Sequence, residues 1–399
     1  MTTPELNQEQ ALHPLLRQAF RPLFLLGALF SLLAMLLWGL LLTGRVMFEP
    51  YGGLMFWHQH EMLFGFVAAI IVGFLLTAVQ NWTGVRATHG RLLLWLTVIW
   101  LAGRVLMFWN PGVPGWLAAG VDLVFLPVAA LLFGLILVQA GKWRNLFFVP
   151  LLLLLTVCNL LMHLGVLWQQ PVLQQQGALT AVWLITLVMA IVSGRVLPMF
   201  TANGTGTPKV ADHPWLDRWF LGALWLIVFL HLTGLQIHVP DTWLALLYGL
   251  AALLGFWRVL RVKIWVTWRV PLLWSLHLAC WFIPLGLALF AAAAAGLPVP
   301  RSTALHALAV GAMGLMILAM MARISLGHTG RLLQAKPVMS LAFLLILLVA
   351  GARVLAPWLP GSLVFWYQLA AAGWVLAYAC YCLVYWPVLT RPRADGRPG

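Results

Sequence analysis

Charge is what this sequence has least of. Asp, Glu, Lys and Arg together make up 8% of 399 residues while apolar residues make up 63%, whereas a soluble domain carries roughly a quarter charged residues. A water-soluble globular fold is excluded. Acid is scarcest, with 9 Asp and Glu against 23 Lys and Arg and a net charge of +14. The four cysteines, Cys158, Cys280, Cys380 and Cys382, are scattered without paired finger-type spacing, so no structural zinc site is indicated. They read as small buried residues, with Cys158 a weak copper-ligand candidate. No glycine-rich phosphate loop with its lysine is present, which argues against coupling to ATP hydrolysis. The first apolar run is too long for the core of a signal peptide and is expected to stay as a helix.

What is abundant is apolar runs. Twelve are long enough for the roughly 20 residues that cross a bilayer as helix, at about 22–43, 57–80, 91–109, 116–138, 146–167, 178–199, 218–238, 242–260, 270–295, 303–324, 338–356 and 363–387. The fold class is therefore all-α and polytopic. Lys and Arg in short loops favour the cytoplasmic side. With the N-terminus inside, all of the 23 basic residues except Arg45, Arg104, Arg301 and Arg353 fall at or near that face. This implies an even number of spans and two cytoplasmic ends: an amphipathic N-terminal segment 1–21, one membrane domain 22–387 and a tail 388–399. The basic excess is then mainly a topology signal. It also suits anchoring to anionic lipid and gives no reason to invoke nucleic acid.

Every loop is short, so function must be read from polar residues within the bilayer. One internal pattern relates spans two and ten. His60 is followed by Gly65 and by Trp82-Thr83-Gly84; His306 is followed at the same offsets by Gly311 and by His328-Thr329-Gly330. Span six ends in a related Thr201-Ala202-Asn203-Gly204. The pattern suggests three degenerate four-helix repeats with spans two, six and ten equivalent.

Ionisable residues inside a membrane are functional candidates by default. His58, His60, His163, His231 and His306 share an outer-half layer in this topology. His277 and His328 lie toward the cytoplasm, and His306 and His328 are roughly 33 Å apart along a helix, too far to share an ion. Imidazole suits haem iron, copper or zinc. Clustering favours His58, His60, His163 and His306 as ligands of an outer metal centre, with His277 and His328 serving an inner site or proton path. For His231 and His238 a structural role is the simpler reading. His58 and His60 point about 200° apart on a regular helix, so they chelate one ion only in an irregular first turn and otherwise serve different centres. Glu61 reads as a supporting partner, ligand or proton relay, or as a carboxylate favoured by the helix dipole. Arg104 and Asp122 lie at similar depth in neighbouring spans and are expected to pair. Arg195 and Arg323 are placed to hold anionic groups such as haem propionates, although basic residues are expected at inner helix ends anyway. The stripe Met313, Met316 and Met320 reads as packing.

Longer motifs carry a resemblance. Phe20-Arg21-Pro22-Leu23-Phe24, Trp57-His58-Gln59-His60-Glu61-Met62, Gly73-Phe74-Leu75-Leu76-Thr77-Ala78, Asn81-Trp82-Thr83-Gly84, Gly194-Arg195-Val196-Leu197-Pro198-Met199-Phe200-Thr201 and the run from Arg323 to Arg331 resemble the NnrS family of bacterial membrane proteins. The resemblance implies haem, expected as b type, with copper in the inner membrane, and a role in nitric oxide stress and denitrification. It assigns no ligands and no reaction. A possible oxidoreductase acting on nitric oxide would draw electrons from a quinol or a donor protein. The alternatives are a transporter of copper or a small solute, and a haem buffer or sensor without turnover.

Overall fold

The structure is a computed structural model that describes residues 11–109 and 112–397. The first ten residues of the expected N-terminal segment lie outside the described residues. No strand occurs among the described residues. Twelve of their helices are long and apolar enough to cross a membrane: α1 (Phe20–Leu41), α2 (Gly53–Thr83), α3 (Gly90–Phe108), α4 (Gly115–Gln139), α5 (Trp143–Leu167), α6 (Pro171–Thr205), α7 (Pro214–Thr233), α8 (Asp241–Val266), α9 (Pro271–Ala294), α10 (Arg301–Gly327), α11 (Pro337–Trp358) and α12 (Leu363–Thr390). The expected count and order hold. α6 differs most, extending well beyond 178–199 at both ends. Its start at Pro171 suits the first turn of a helix, and Gln174, Gln175 and Gln176 are helix formers that an apolar count overlooks.

The described residues divide into two compact units. Unit 1 comprises those of 1–178, 321–333 and 378–399, and unit 2 those of 179–320 and 334–377. Within unit 1, α1 packs on α2, α2 contacts α3, α4 and α5, and α4 packs on both α3 and α5. Glycine permits the closest of these approaches. A Cβ on Gly27 of α1 would lie 2.9 Å from Ile70 Cδ1, and one on Gly73 of α2 would lie 3.1 Å from Leu23 Cβ, the use of small residues that membrane helices make at their contacts. α4 is interrupted at Val124. Pro127 cannot donate to the carbonyl of Leu123, and Asp122 sits in the last turn before the break.

α2 and α10 share a local distortion. Each is ordinary helix up to a histidine, over Gly53–His60 and Arg301–His306. Each then widens into π-helical turns, over Glu61–Val67 and Ala307–Gly314, and returns to α-helix. Gly65 and Gly311 fall inside the wide turns, and each receives a phenylalanine from the preceding span. A Cβ on Gly65 would lie 2.7 Å from Phe30 Cε1 of α1, and a Cβ on Gly311 would enter the ring of Phe282 on α9. Burial singles out the same helices: 78% of α2, 78% of α6 and 72% of α10 is buried over the most apolar stretch, against 33–50% in the other nine. This supports the equivalence of spans two, six and ten, although α6 carries no π segment.

Alanine at either glycine forces an aromatic ring to move. Gly65→Ala and Gly311→Ala should each lower stability by about 1–3 kcal/mol, measured by thermal unfolding in detergent; a wild-type midpoint in both would show that the wide turns do not depend on close packing.

Candidate metal centre

The π segment of α2 opens directly onto a buried polar cluster in unit 1. His60, Glu61, Arg104, Asp122, Asn159 and His163 are all buried, and they come from α2, α3, α4 and α5. Asp122 Oδ2 is their meeting point. His60 Nε2 approaches it at 3.1 Å, His163 Nε2 at 3.2 Å and Asn159 Nδ2 at 2.7 Å. The other oxygen, Oδ1, pairs with Arg104 Nη2. Arg104 Nη1 pairs with Glu61 Oε1, which also meets His60 Nδ1 at 2.8 Å. The expected pairing of Arg104 with Asp122 is present, within a larger network.

Hydrogen-bond roles follow from these contacts. Asn159 donates through Nδ2, so its Oδ1 is the acceptor facing His60 Nε2 at 2.8 Å. Both nitrogens of His60 therefore meet only acceptor oxygens, the pattern of an imidazolium. His163 is different. Its Nε2–H goes to Asp122, and its Nδ1 faces Tyr51 Oη at 3.4 Å. Tyr51 lies in the loop before α2, where burial and the charge of Asp122 push its pKa up to about 12. It keeps its proton and donates, and His163 stays neutral. Arg104 and His60 then balance Glu61 and Asp122, which suits a region where an uncompensated charge is costly. Glu61 Oε2 is buried without a hydrogen-bond partner.

One nitrogen each of His60 and His163 and one oxygen of Asp122 all lie within 4.8 Å of one another. Two imidazoles and a carboxylate form a donor set for a transition-metal ion. The atoms turned away are also held, His60 Nδ1 by Glu61, His163 Nδ1 by Tyr51 and Asp122 Oδ1 by Arg104, which is the outer support that fixes ligand orientation in metal sites.

The remaining predicted residues lie elsewhere. His58 is on regular helix and turns away from His60, stacking on Trp38 of α1 with centroids 4.1 Å apart. Glu61, expected on the face of His58, bonds to the adjacent His60 Nδ1 instead. His306 belongs to unit 2, where Nδ1 donates to its own helix at Ser302 O, 2.7 Å, leaving Nε2 as its basic nitrogen when neutral. His277, also in unit 2, meets Thr201 Oγ1 at 2.8 Å. The threonine proton goes to Leu197 O, so His277 donates through Nε2 and carries its lone pair on Nδ1, which is buried and has no partner. His231 bonds Tyr248 Oη at 2.8 Å and stacks on Trp183, a structural role as expected. Arg195 is exposed and Arg323 buried. All four cysteines are free. Asp122 as a prospective ligand, Asn159 and Tyr51 were missed. Asn159 lies one helical turn from His163, a spacing that puts both on one face; Tyr51 has no such signal.

His328 follows the last residue of α10 in unit 1, its ring 5.7 Å from that of Phe20. Burial, aided by the charge of Arg393, pushes its pKa down to about 4.

A twelve-helix membrane protein with a buried, charge-balanced centre of two imidazoles and a carboxylate is the class that fold and site define. The family model described as NnrS protein matches residues 14–393, and the chain belongs to the NnrS family. No curated protein matches it.

Two outcomes follow. Arg104→Met strands two buried carboxylates and should cost about 3–5 kcal/mol, whereas adding Asp122→Asn should cost less than the sum of the two single changes; additive losses in unfolding experiments would contradict the network. His328 is neutral when folded and has a pKa near 6.5 when unfolded, so its contribution is intact above about pH 6.5 and is lost as pH falls toward 4. The midpoint of His328→Gln should therefore decline less than wild type between pH 6.5 and 4, and parallel declines would contradict this.

Proposed function

We propose that this chain binds a metal ion at His60, His163 and Asp122 and uses it to take up nitric oxide within the membrane, removing or redirecting it and giving nitric oxide tolerance. The observation that carries this reading is the convergence of three potential ligand atoms whose outward-facing atoms are each held by a different partner. Family membership supports the link to nitric oxide.

The donor set fits a single ion. Phe56 and Phe64 lie against the His60 ring, with centroids at 5.0 and 5.3 Å, so a haem macrocycle does not fit on that imidazole. Copper is the ion we assign, since imidazole suits it. When bound, it supplies an open position for a small neutral ligand. To hold the ion, His60 would release its Nε2 proton to solvent while Nδ1–H stays on Glu61, and His163 would shift its proton from Nε2 to Nδ1, where Tyr51 Oη would accept the hydrogen bond. Arg104 keeps the carboxylates of Glu61 and Asp122 in place. Glu61 Oε2, the one carboxylate oxygen of the cluster with no partner, is where we place a transferable proton.

Haem, if present, falls to the remaining histidines. Each unit offers its own candidate: His277 with a lone pair on Nδ1 in unit 2, where Arg195 is proposed to hold propionates, and neutral His328 in unit 1, where Arg323 is proposed to do so. His58 in unit 1 and His306 in unit 2 are each proposed as metal ligands within their own unit, apart from this centre. Electrons for turnover would come from a quinol or donor protein. We place the protein in the bacterial inner membrane with both ends cytoplasmic.

Copper content after reconstitution and washing tests the centre, read beside visible spectra and nitric oxide decay at an electrode. Wild type and His58→Ala should retain copper at this centre and speed the decay; His60→Ala, His163→Ala and Asp122→Asn should lose it. Folded variants with unchanged copper and unchanged decay would sink the proposal, and copper that washes out of wild type would favour a transporter.

A further inference from the structure

A second buried arginine of unit 1 is only half used. Arg21, at the start of α1, has no exposed surface. Its Nη1 donates to Leu389 O at the end of α12 and to Arg391 O just beyond, both at 2.8 Å. Its Nε and Nη2 are buried and reach no acceptor. Those two N–H groups share one edge of the planar guanidinium, a fork whose parallel donors match two oxygens of one phosphate group.

The surroundings add charge of the same sign. Arg17, Arg331 and Arg393 are close enough to act on Arg21. Among the described residues unit 1 holds four carboxylates. Glu61 and Asp122 are paired with Arg104, Glu49 lies beyond the opposite end of α1, and Asp395 is held through both oxygens by Arg393. Gln18 Oε1, three residues before Arg21, is itself buried without a partner. Basic residues gathered at one membrane end are expected from topology alone. A fully buried guanidinium with an open two-donor edge is not.

We propose that Arg21 binds one phosphate group, from an anionic phospholipid or from free phosphate, with Arg17, Arg331 and Arg393 supplying the attraction. The exposed segment after α12 lies against this end through Arg393 Nη1 to His328 O and Ala394 N to Thr329 O, and it gives way to admit the ligand. The site is independent of the metal centre.

The test uses the full-length protein in detergent, with the thermal midpoint followed against inorganic phosphate at constant ionic strength and, separately, against phosphatidylglycerol with phosphatidylcholine as control. A saturable rise is expected with at least one probe. A rise with phosphate assigns free anion, and a rise with phosphatidylglycerol alone assigns the lipid headgroup. Arg21→Lys keeps the charge without the fork and should weaken half-saturation by roughly tenfold. If Arg21→Lys does not fold, the Arg331→Gln/Arg393→Gln variant, which keeps the buried arginine, should weaken it instead. No saturable rise with either probe would overturn the proposal, as would an unchanged response in folded Arg21→Lys, or in the double variant where Arg21→Lys does not fold.

Discussion

The polar interior of unit 1 depends on one carboxylate oxygen. Asp122 Oδ2 receives N–H groups from two helices, His60 on α2 and both Asn159 and His163 on α5. Its companion Oδ1 binds Arg104 on α3. Four helices are thus held in register by a residue on the fourth of them, α4. In a low-dielectric interior such a cluster is tolerable only when its charges cancel and its donors are satisfied. That condition explains why the histidines are unequal: His60 faces oxygen on both sides, whereas His163 accepts from Tyr51 on one side. Balance is reached with two cations and two anions, and a further buried charge would have to bring its own partner.

The wide turns at the entrance to α2 and α10 are the backbone counterpart of this economy. An ordinary helix would place Glu61 on the face of His58. Its carboxylate nevertheless turns onto His60 and Arg104, and within the wide turns that follow Trp100 Nε1 donates to the carbonyl of Gly65 at 2.8 Å. Glycine at the fifth position after the histidine lets a ring from the preceding span fill the space beside the widened helix. The same device recurs beside His306, although the polar partners differ: His306 bonds a carbonyl of its own helix, and the residue after it is Ala307 where α2 has Glu61.

Much of this was legible in the amino-acid order. Twelve apolar runs translate into twelve helices because length and hydropathy are strong constraints in a bilayer. The pairing of Arg104 with Asp122 followed from depth alone, and the divergence of His58 from His60 from helical phase. The identity of the centre was not legible, for two physical reasons. Depth gives the height of a residue in the membrane but not which neighbour it faces, so helical phase separates His58 from His60 without telling which of them meets His163. The contacts of Asp122 Oδ2 with His60, Asn159 and His163 come from helices far apart in sequence, and nothing in a hydrophobic pattern marks them. Asp122 was expected only to pair with Arg104; a carboxylate has two oxygens, and only one is used by Arg104.

Arg104 and Arg21 show how the same residue type acquires different roles at two positions in unit 1. Arg104 directs its two terminal nitrogens at Glu61 and Asp122 and has no donor edge left for a ligand, so its task is to hold a centre together. Arg21 is anchored through Nη1 alone by two carbonyls, which fixes its position without neutralising its charge, and the nearby basic residues add to that charge. A carbonyl carries no formal charge, so the anchor satisfies hydrogen bonding without cancelling electrostatics. The remaining edge of Arg21 is thus already oriented for an oxyanion: unpaired burial gives the site its geometry, and the arginines around it add the attraction.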